Sequence, residues 1–194
     1  MDGFKKRTEQ KKQAILTSAF TLFFQNGVKG VNISQIAKEA GVSQVTIYNY
    51  FESKENLLLE VIKGYAMKKH ETYEKLVMSD KPFKQKVEQL MSDKLLEANE
   101  MNPLFLQEIL ELDPRLTHFF ETFYQHYSLP LMMKLLEDGK RSGNLNADFS
   151  LNSLLVYLDM FQSYFQTPEK AALLEDEQMR IDVMNLFFYG LMKS

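Results

Sequence analysis

The stretch Asn32-Ile33-Ser34-Gln35-Ile36-Ala37-Lys38-Glu39-Ala40-Gly41-Val42-Ser43-Gln44-Val45-Thr46-Ile47-Tyr48-Asn49-Tyr50-Phe51 decides the fold. It reads as two short helices joined by a tight turn. Asn32 is a good N-cap, because its side-chain oxygen can accept from the backbone N–H groups left free at a helix start. Gln35 stands three residues on, where it can reach back in a capping box. Ile36, Ala37 and Ala40 make a short apolar face, with Ala37 small where two helices would cross. Gly41 follows at a helix end, where a left-handed backbone favours glycine. Ser43 caps the second helix, and Ile47 and Phe51, four apart, face inward. Gln44, Val45, Thr46, Tyr48, Asn49 and Tyr50 are left for outer or flanking surfaces. Small residue, glycine and isoleucine at Ala37, Gly41 and Ile47 are the rhythm of a helix-turn-helix, whose second helix enters the major groove of DNA. A plain helical hairpin would share that rhythm, so the flanks carry weight.

Upstream, Ile15, Ala19, Leu22 and Phe23 line one face of a helix from about Thr8 to Gln25, stopped at Gly27. Residues 1–7 read as a mobile basic arm. Downstream, Ser53 caps a fourth, long helix carrying Leu57, Leu58, Val61 and Ile62 towards a boundary near Tyr65. From Ala14 to Ile62 the chain resembles the N-terminal domain of TetR-family transcriptional repressors. The matching residues are Ala14-Ile15-Leu16, Ala19-Phe20, Leu22-Phe23, Gly27, Ile36 through Ser43, Thr46 through Phe51, and Ser53 through Leu57. They cover about a quarter of the chain.

The resemblance implies roles for individual residues. Gln44, Val45 and Thr46 sit where the family meets bases or adjacent phosphates; a Gln can pair with adenine and a Val can touch a thymine methyl. Tyr48 and Tyr50 are placed as phosphate clamps, with rings packed on the domain. Asn49 suits either job. Lys54, beside a helix N-terminus, is placed for phosphate. Asn32 and Ser43 complete the candidate set, Ser43 equally as a cap. Val45 departs from the small residue, often Gly, that many relatives have there, so base preference does not carry over.

Composition agrees with an internal regulator. The 194 residues can bury a core and contain no Cys, so disulfides, thiolate metal sites and a cysteine nucleophile are excluded. No secretory segment or run of 18 apolar residues occurs, and the expectation is a soluble cytoplasmic protein with no membrane partner. Residues 1–51 hold seven basic residues against three acidic, a net +4, while the remainder holds 16 against 23, a net −7. A basic start on an acidic body suits an N-terminal end that meets phosphate.

The fold expected is all-α: an N-terminal three-helix helix-turn-helix domain over residues 1–65 and a C-terminal helical bundle over 66–194, about nine helices together. Pro82 opens a fifth helix, and Asn102-Pro103 and Asp113-Pro114 each pair an N-cap with Pro at the first helical position. Pro130 should kink or split its helix, which Ser142-Gly143-Asn144 ends. Asp148 caps the next helix, reaching about Gln166, and a last one runs from about Asp176 to Met192.

The last two helices each carry two apolar stripes, which implies full burial or a second subunit. Leu151, Leu154, Leu158, Phe161 and Phe165, with Val183, Leu186, Phe187 and Gly190, are the expected faces of a homodimer built as a four-helix bundle. By the family analogy, the second domain binds a small-molecule effector. Met91, Leu95, Phe105, Phe119, Phe123, Tyr124, Tyr127, Tyr157, Met160, Phe161 and Tyr164 are its candidate lining, although each taken singly suits a plain core better. An apolar or amphipathic effector follows, which would release a palindromic DNA operator.

No cofactor or metal is expected. His118 and His126 with Asp113 fit dull placements better than a metal site, and His70-Glu71-Thr72-Tyr73-Glu74 has Glu where a zinc helix needs its second His. The competing class is a small all-helical enzyme or ligand carrier with an incidental helix-turn-helix. Tyr48, Tyr50 and Lys54 argue against it, since an enzyme hairpin has no need of all three.

Overall fold

The computed structural model describes residues 2–100, 102, 105, 108, 109, 113–164, 170, 173 and 176–189; within these ranges the side chains of 2–4, 91, 94, 95, 97–100, 158, 159, 161–163, 180, 184 and 187–189 fall outside the description. The described chain is all-α. Its helices are α1 (Asp2–Asn26), α2 (Ile33–Glu39), α3 (Gln44–Phe51), α4 (Lys54–Val77), α5 (Phe83–Glu100), α6 (Pro114–Phe123), α7 (Leu129–Arg141), α8 (Leu151–Tyr164) and α9 (Glu177–Tyr189).

Local chemistry explains most boundaries. α1 begins at Asp2 rather than about Thr8, so the basic start extends the helix instead of forming an arm. Lys5, Lys6, Arg7 and Glu9 are straight-chain residues that lose little freedom in a helix. α2 is closed by the full capping box: Asn32 Oδ1 accepts from Gln35 N at 3.0 Å, and Gln35 Oε1 from Asn32 N at 2.8 Å. Ser43 Oγ accepts from Thr46 N at 3.1 Å and starts α3. Between them Gly41 has φ +64°, and Val42 N returns to Ala37 O at 3.0 Å.

α3 turns into α4 through Glu52, the one non-glycine with positive φ among the described residues (φ 66°, ψ −40°). The hydrogen bond from Ser53 N to Phe51 O at 2.7 Å makes this a γ-turn of the rarer, strained hand. Ser53 Oγ then caps α4, accepting from Asn56 N at 3.1 Å.

Later elements differ in detail from the sequence reading. α6 starts as expected, with Asp113 accepting from Arg115 N and Pro114 in the first turn. The split near Pro130 takes the form of a π-helical turn over Tyr124–Ser128, after which α7 begins with Pro130 in its first turn. A proline lacks the N–H that an uninterrupted α-helix needs at that point, and a widened turn accommodates the loss. Ser150, not Asp148, caps α8: its Oγ accepts from Ser153 N at 3.0 Å, while Asp148 N donates to Asn146 Oδ1. α9 opens with Asp176 Oδ1 accepting from Met179 N at 2.7 Å.

The chain forms two compact units. The first comprises residues 1–73 and 94–126. Ile15, Phe23, Ile36, Ile47, Leu57 and Leu58 are fully buried in its core together with Ile109 and Leu116. Each such side chain stabilises the fold by about 1.5–3 kcal/mol through burial. The second unit comprises residues 74–93 and 127–194. Phe83, Val87, Leu136, Leu145 and Leu154 form its core. Gly139 lets α7 approach α5 closely, since a Cβ there would lie 2.6 Å from the Phe83 ring. In this unit Lys86 is buried, its ammonium donating to Val77 O at the end of α4 and facing Asp138 at 3.6 Å.

Two glycines in the first unit make a comparison possible. Gly41 (φ +64°) has open space where a Cβ would go, whereas at Gly27 (φ +73°) a Cβ would stand 2.9 Å from Glu108 Oε2. Gly41→Ala should cost about 1 kcal/mol, the left-handed penalty alone. Gly27→Ala should cost about 2 kcal/mol or more, adding the displaced carboxylate. Urea unfolding of both variants checks this, and equal losses would contradict it.

Candidate nucleic-acid interface

Helix α3 divides its residues cleanly. Ile47 and Phe51 are buried in the first unit's core. Gln44, Val45, Tyr48 and Asn49 stand exposed, Val45 at 66% and Tyr48 at 48%. Positions i, i+1, i+4 and i+5 form one continuous strip on a helix, so these four side chains share a face. An exposed valine and tyrosine, side by side with two amides, make a surface able to contact base edges and backbone at once.

The flanking candidates are placed differently. Thr46 is half-buried, its hydroxyl 2.8 Å from that of Ser43, so both hydroxyls are engaged in the cap. Tyr50 is half-buried with its ring edge-on to Phe51 at 6.3 Å. Asn32 is exposed, but its Oδ1 is used by the capping box. Lys12 of α1 holds its ammonium 5.9 Å from the Phe51 ring. Lys54 turns inward: its ammonium donates to Val28 O at 2.6 Å and lies 5.8 Å from the Phe23 ring. Burial pulls its pKa below the ordinary lysine value, against the opposing pull of the Glu55 and Glu108 carboxylates.

What holds α2 and α3 in place lies partly outside the motif. Glu108 is only 8% exposed, and its Oε2 accepts from Val28 N at 2.5 Å and Lys29 N at 3.0 Å in the α1–α2 turn. Asn102 donates through its backbone N to Phe24 O at 2.9 Å and through Nδ2 to Gln25 O at 3.2 Å, satisfying carbonyls at the end of α1. Arg115 donates from Nη1 to Asn56 Oδ1 on α4 at 2.9 Å, and pairs with Asp113 through Nη2 at 2.6 Å. That hydrogen bond, with a backbone one from Arg115 and its charge, holds the Asp113 carboxyl below the ordinary range against the cost of burial.

Asn102, Glu108 and Arg115 were absent from the sequence-derived set. Glu108 carried a readable signal: it falls on the same helical face as Phe105 and Ile109, where a charge calls for a partner.

The candidate effector residues divide between the two units. In the first, Phe105 is buried and edge-on to Phe24 at 5.9 Å. Phe119 and Phe123 pack against each other at 5.5 Å, His70 meets Phe123 edge-on at 6.1 Å, and Tyr124 is exposed. Phe20 stacks on Tyr65 at 4.7 Å, and the Tyr65 hydroxyl is buried without a protein hydrogen-bond partner. In the second, Tyr157 packs on the core, whereas Tyr127, Met160 and Tyr164 are exposed. The side chains of Met91, Leu95 and Phe161 lie outside the described residues. A cleft of about 470 Å³ in the second unit runs between residues 77–86 and 134–142, and none of the candidate effector residues lines it.

The candidate dimer residues are similarly sorted. Leu154 is buried in its own unit's core and Leu151 packs against it. Val156, Met160 and Tyr164 of α8 are exposed instead, with the Lys170 ammonium 4.5 Å from the Tyr164 ring. On α9, Val183 is half-buried, while Leu186 (73%), Ile181 and Met179 are exposed. Phe165 and Gly190, and the side chains of Leu158, Phe161 and Phe187, lie outside what is described. Among the described residues no helix is long and apolar enough to cross a membrane.

Residues 15–61 match the family model described as bacterial regulatory proteins, tetR family. The HTH-type transcriptional repressor KstR2 of Rhodococcus jostii (strain RHA1) is 23% identical over 153 residues, 76% of this chain and 74% of that protein. An HTH-type transcriptional regulator of Staphylococcus aureus (strain USA300) is 30% identical over 121 residues; the match spans 62% of this chain and 65% of that regulator. Among solved structures, one from Shewanella sp. PV-4 described as a tetR family transcription regulator is 27% identical, with a TM-score of 0.56 over 95% of this chain and 99% of that one. The transcriptional regulator FadR from Bacillus subtilis in complex with stearoyl-CoA is 22% identical, with a TM-score of 0.62 over 92% and 98%. A transcriptional regulator from Saccharomonospora viridis in complex with choline is 18% identical, with a TM-score of 0.73 over 94% and 98%. These last two share the fold.

The Asp113–Arg115 pair ties stability to pH. A carboxyl with a lowered folded pKa stabilises the fold above its unfolded value of about 3.9, and that contribution disappears as pH falls through the lower folded value. The protein should therefore lose stability below about pH 4, and Arg115→Gln should lose less across that window. Urea midpoints measured down to about pH 2.5 read it out. Identical pH profiles for the two proteins would remove the pair from the account.

Proposed function

We propose that this chain, which belongs to the TetR family of bacterial transcriptional regulators, acts as a dimeric repressor that a small effector releases from a palindromic operator. The observation that carries the reading is the exposed strip Gln44, Val45, Tyr48 and Asn49 on a helix anchored by buried Ile47 and Phe51. Such a helix can enter a major groove without disturbing its own core. The relatives matched over most of the chain are regulators, so the competing reading as a helical enzyme or carrier gives way.

Within that reading, residues 1–65 are the DNA-binding head and residues 66–194 the effector-binding and dimerisation part. Gln44 and Val45 read base edges; Tyr48, Tyr50 and Asn49 hold phosphate; Asn32, Ser43 and Thr46 shape the helix starts next to the backbone. Lys54 supports the α1–α2 turn and lends its positive charge to that end of α4. The dimer is supported by the apolar side chains exposed on α8 and α9, which a second copy would cover. Paired heads then meet successive major grooves about 34–36 Å apart. The effector is apolar or amphipathic, in keeping with the aromatic content of the C-terminal helices. It relieves repression only by binding the DNA-free arrangement more tightly.

Two measurements test this. With DNA from upstream of its own gene, Tyr48→Phe should weaken binding across all sequences, while Gln44→Ala should relax preference at one base position, a change of about 1–3 kcal/mol in discrimination. Matching specificity profiles for the two variants would sink that division of labour. Sedimentation at micromolar concentration should give a dimer; a monomer would count against paired recognition.

A further inference from the structure

Val28 is gripped at both its backbone N–H and its backbone C=O by opposite charges from distant parts of the chain. Its N–H donates to the Glu108 carboxylate, and its C=O accepts from the Lys54 ammonium at 2.6 Å. Lys29 N donates to the same Glu108 oxygen at 3.0 Å. Charge-assisted bonds of this kind are stronger and more directional than neutral ones, and Glu108 is shielded from water, which strengthens its bonds further. Gly27, with φ +73°, brings the turn so close that a Cβ would collide with the carboxylate. The turn is therefore shaped around Glu108.

The contacts on either side act in the same sense. Asn102 holds the last carbonyls of α1, and Arg115 holds Asn56 in the first turn of α4. Ile109 and Leu116 are buried in the same core as Ile36 and Ile47 of the reading helices. Residues 94–126 fall within one compact unit with residues 1–73. Asn102, Glu108 and Arg115 thus touch the end of α1, the first half of the α1–α2 turn and the start of α4.

We infer that Glu108 is a positioning residue for DNA recognition: it fixes the α1–α2 turn, and through it the recognition helix α3, against the segment 102–116. This rests on the regulator reading above and deepens it. A movement of that segment reaches the reading helices by pulling on Val28 and Lys29, in addition to any motion of α4. Glu108 itself is buried and touches no phosphate.

The sign of the expected effect separates this from general electrostatics. Removing a carboxylate from a DNA-binding unit ordinarily lessens repulsion and strengthens binding. Positioning predicts the reverse. Glu108→Ala should weaken binding to DNA from upstream of the protein's own gene at least about tenfold, the loss of two bonds to a charged acceptor. Glu108→Gln keeps an acceptor oxygen and should weaken it about threefold. In both, the slope of log affinity against log salt should stay at the wild-type value, since no phosphate contact is lost. Hydrogen exchange at the Val28 and Lys29 amides should quicken in Glu108→Ala while the amides of Leu57 and Leu58 keep their protection.

Folded variants with unchanged or tighter binding would overturn the inference, as would a weakened affinity with a changed salt slope. Should Glu108→Ala fail to fold, Glu108→Gln carries the same comparison. If the wild-type protein itself bound no such DNA, the regulator reading would fail; the amide exchange would still report whether Glu108 holds the turn.

Discussion

A backbone turn inside a folded protein must have its N–H and C=O groups satisfied, and here that requirement joins the helix-turn-helix to Glu108 within the first unit. The α1–α2 turn meets it with side chains rather than with backbone alone. Glu108 accepts from two successive N–H groups, and Lys54 donates to the carbonyl between them. Removing the buried Glu108 carboxylate would leave the Val28 and Lys29 N–H groups without their acceptor. The helix-turn-helix is in this sense incomplete by itself. It borrows a carboxylate about eighty residues away along the chain.

That borrowing explains which parts of the protein were legible in its sequence. The capping box at Asn32 and Gln35, the Ser43 cap, the turn at Gly41 and the inward Ile47 and Phe51 rest on rules that act over three or four residues. All were readable for that reason. The start of α1 was missed because charged straight-chain residues serve equally as an arm or as a helix. Asp148 and Ser150 are both competent caps two residues apart, and local chemistry alone does not choose between them. The Glu108 contact joins segments far apart in sequence, and only the misplaced charge between Phe105 and Ile109 hinted at it.

The C-terminal helices show a different limit. Periodicity reveals that α8 has two apolar stripes but not which one the chain covers itself. The structure buries Leu154 in a core with Phe83, Val87, Leu136 and Leu145, while Val156, Met160 and Tyr164 are exposed. Residues nominated for the dimer therefore include the core position Leu154, while four nominated for an effector, Tyr124, Tyr127, Met160 and Tyr164, stand exposed. The physical distinction is made by packing, which depends on every other helix at once.

Function follows from combining these levels. A basic N-terminal region carries the exposed strip of α3, and the remainder is more acidic, a balance that suits nucleic acid meeting the N-terminal end alone. In the proposed reading the anchoring contacts make the strip a stiff probe, and stiffness would let a few side chains discriminate bases. Two such probes, held by a second copy across α8 and α9, would impose a spacing on the DNA. Hydroxyl-radical footprinting on DNA upstream of the protein's own gene tests this most directly. Two protected blocks related by a dyad are expected, with centres about 10–10.5 base pairs apart or a multiple of that. A single block without two-fold symmetry, or no protection at any concentration that shifts the DNA, would contradict it.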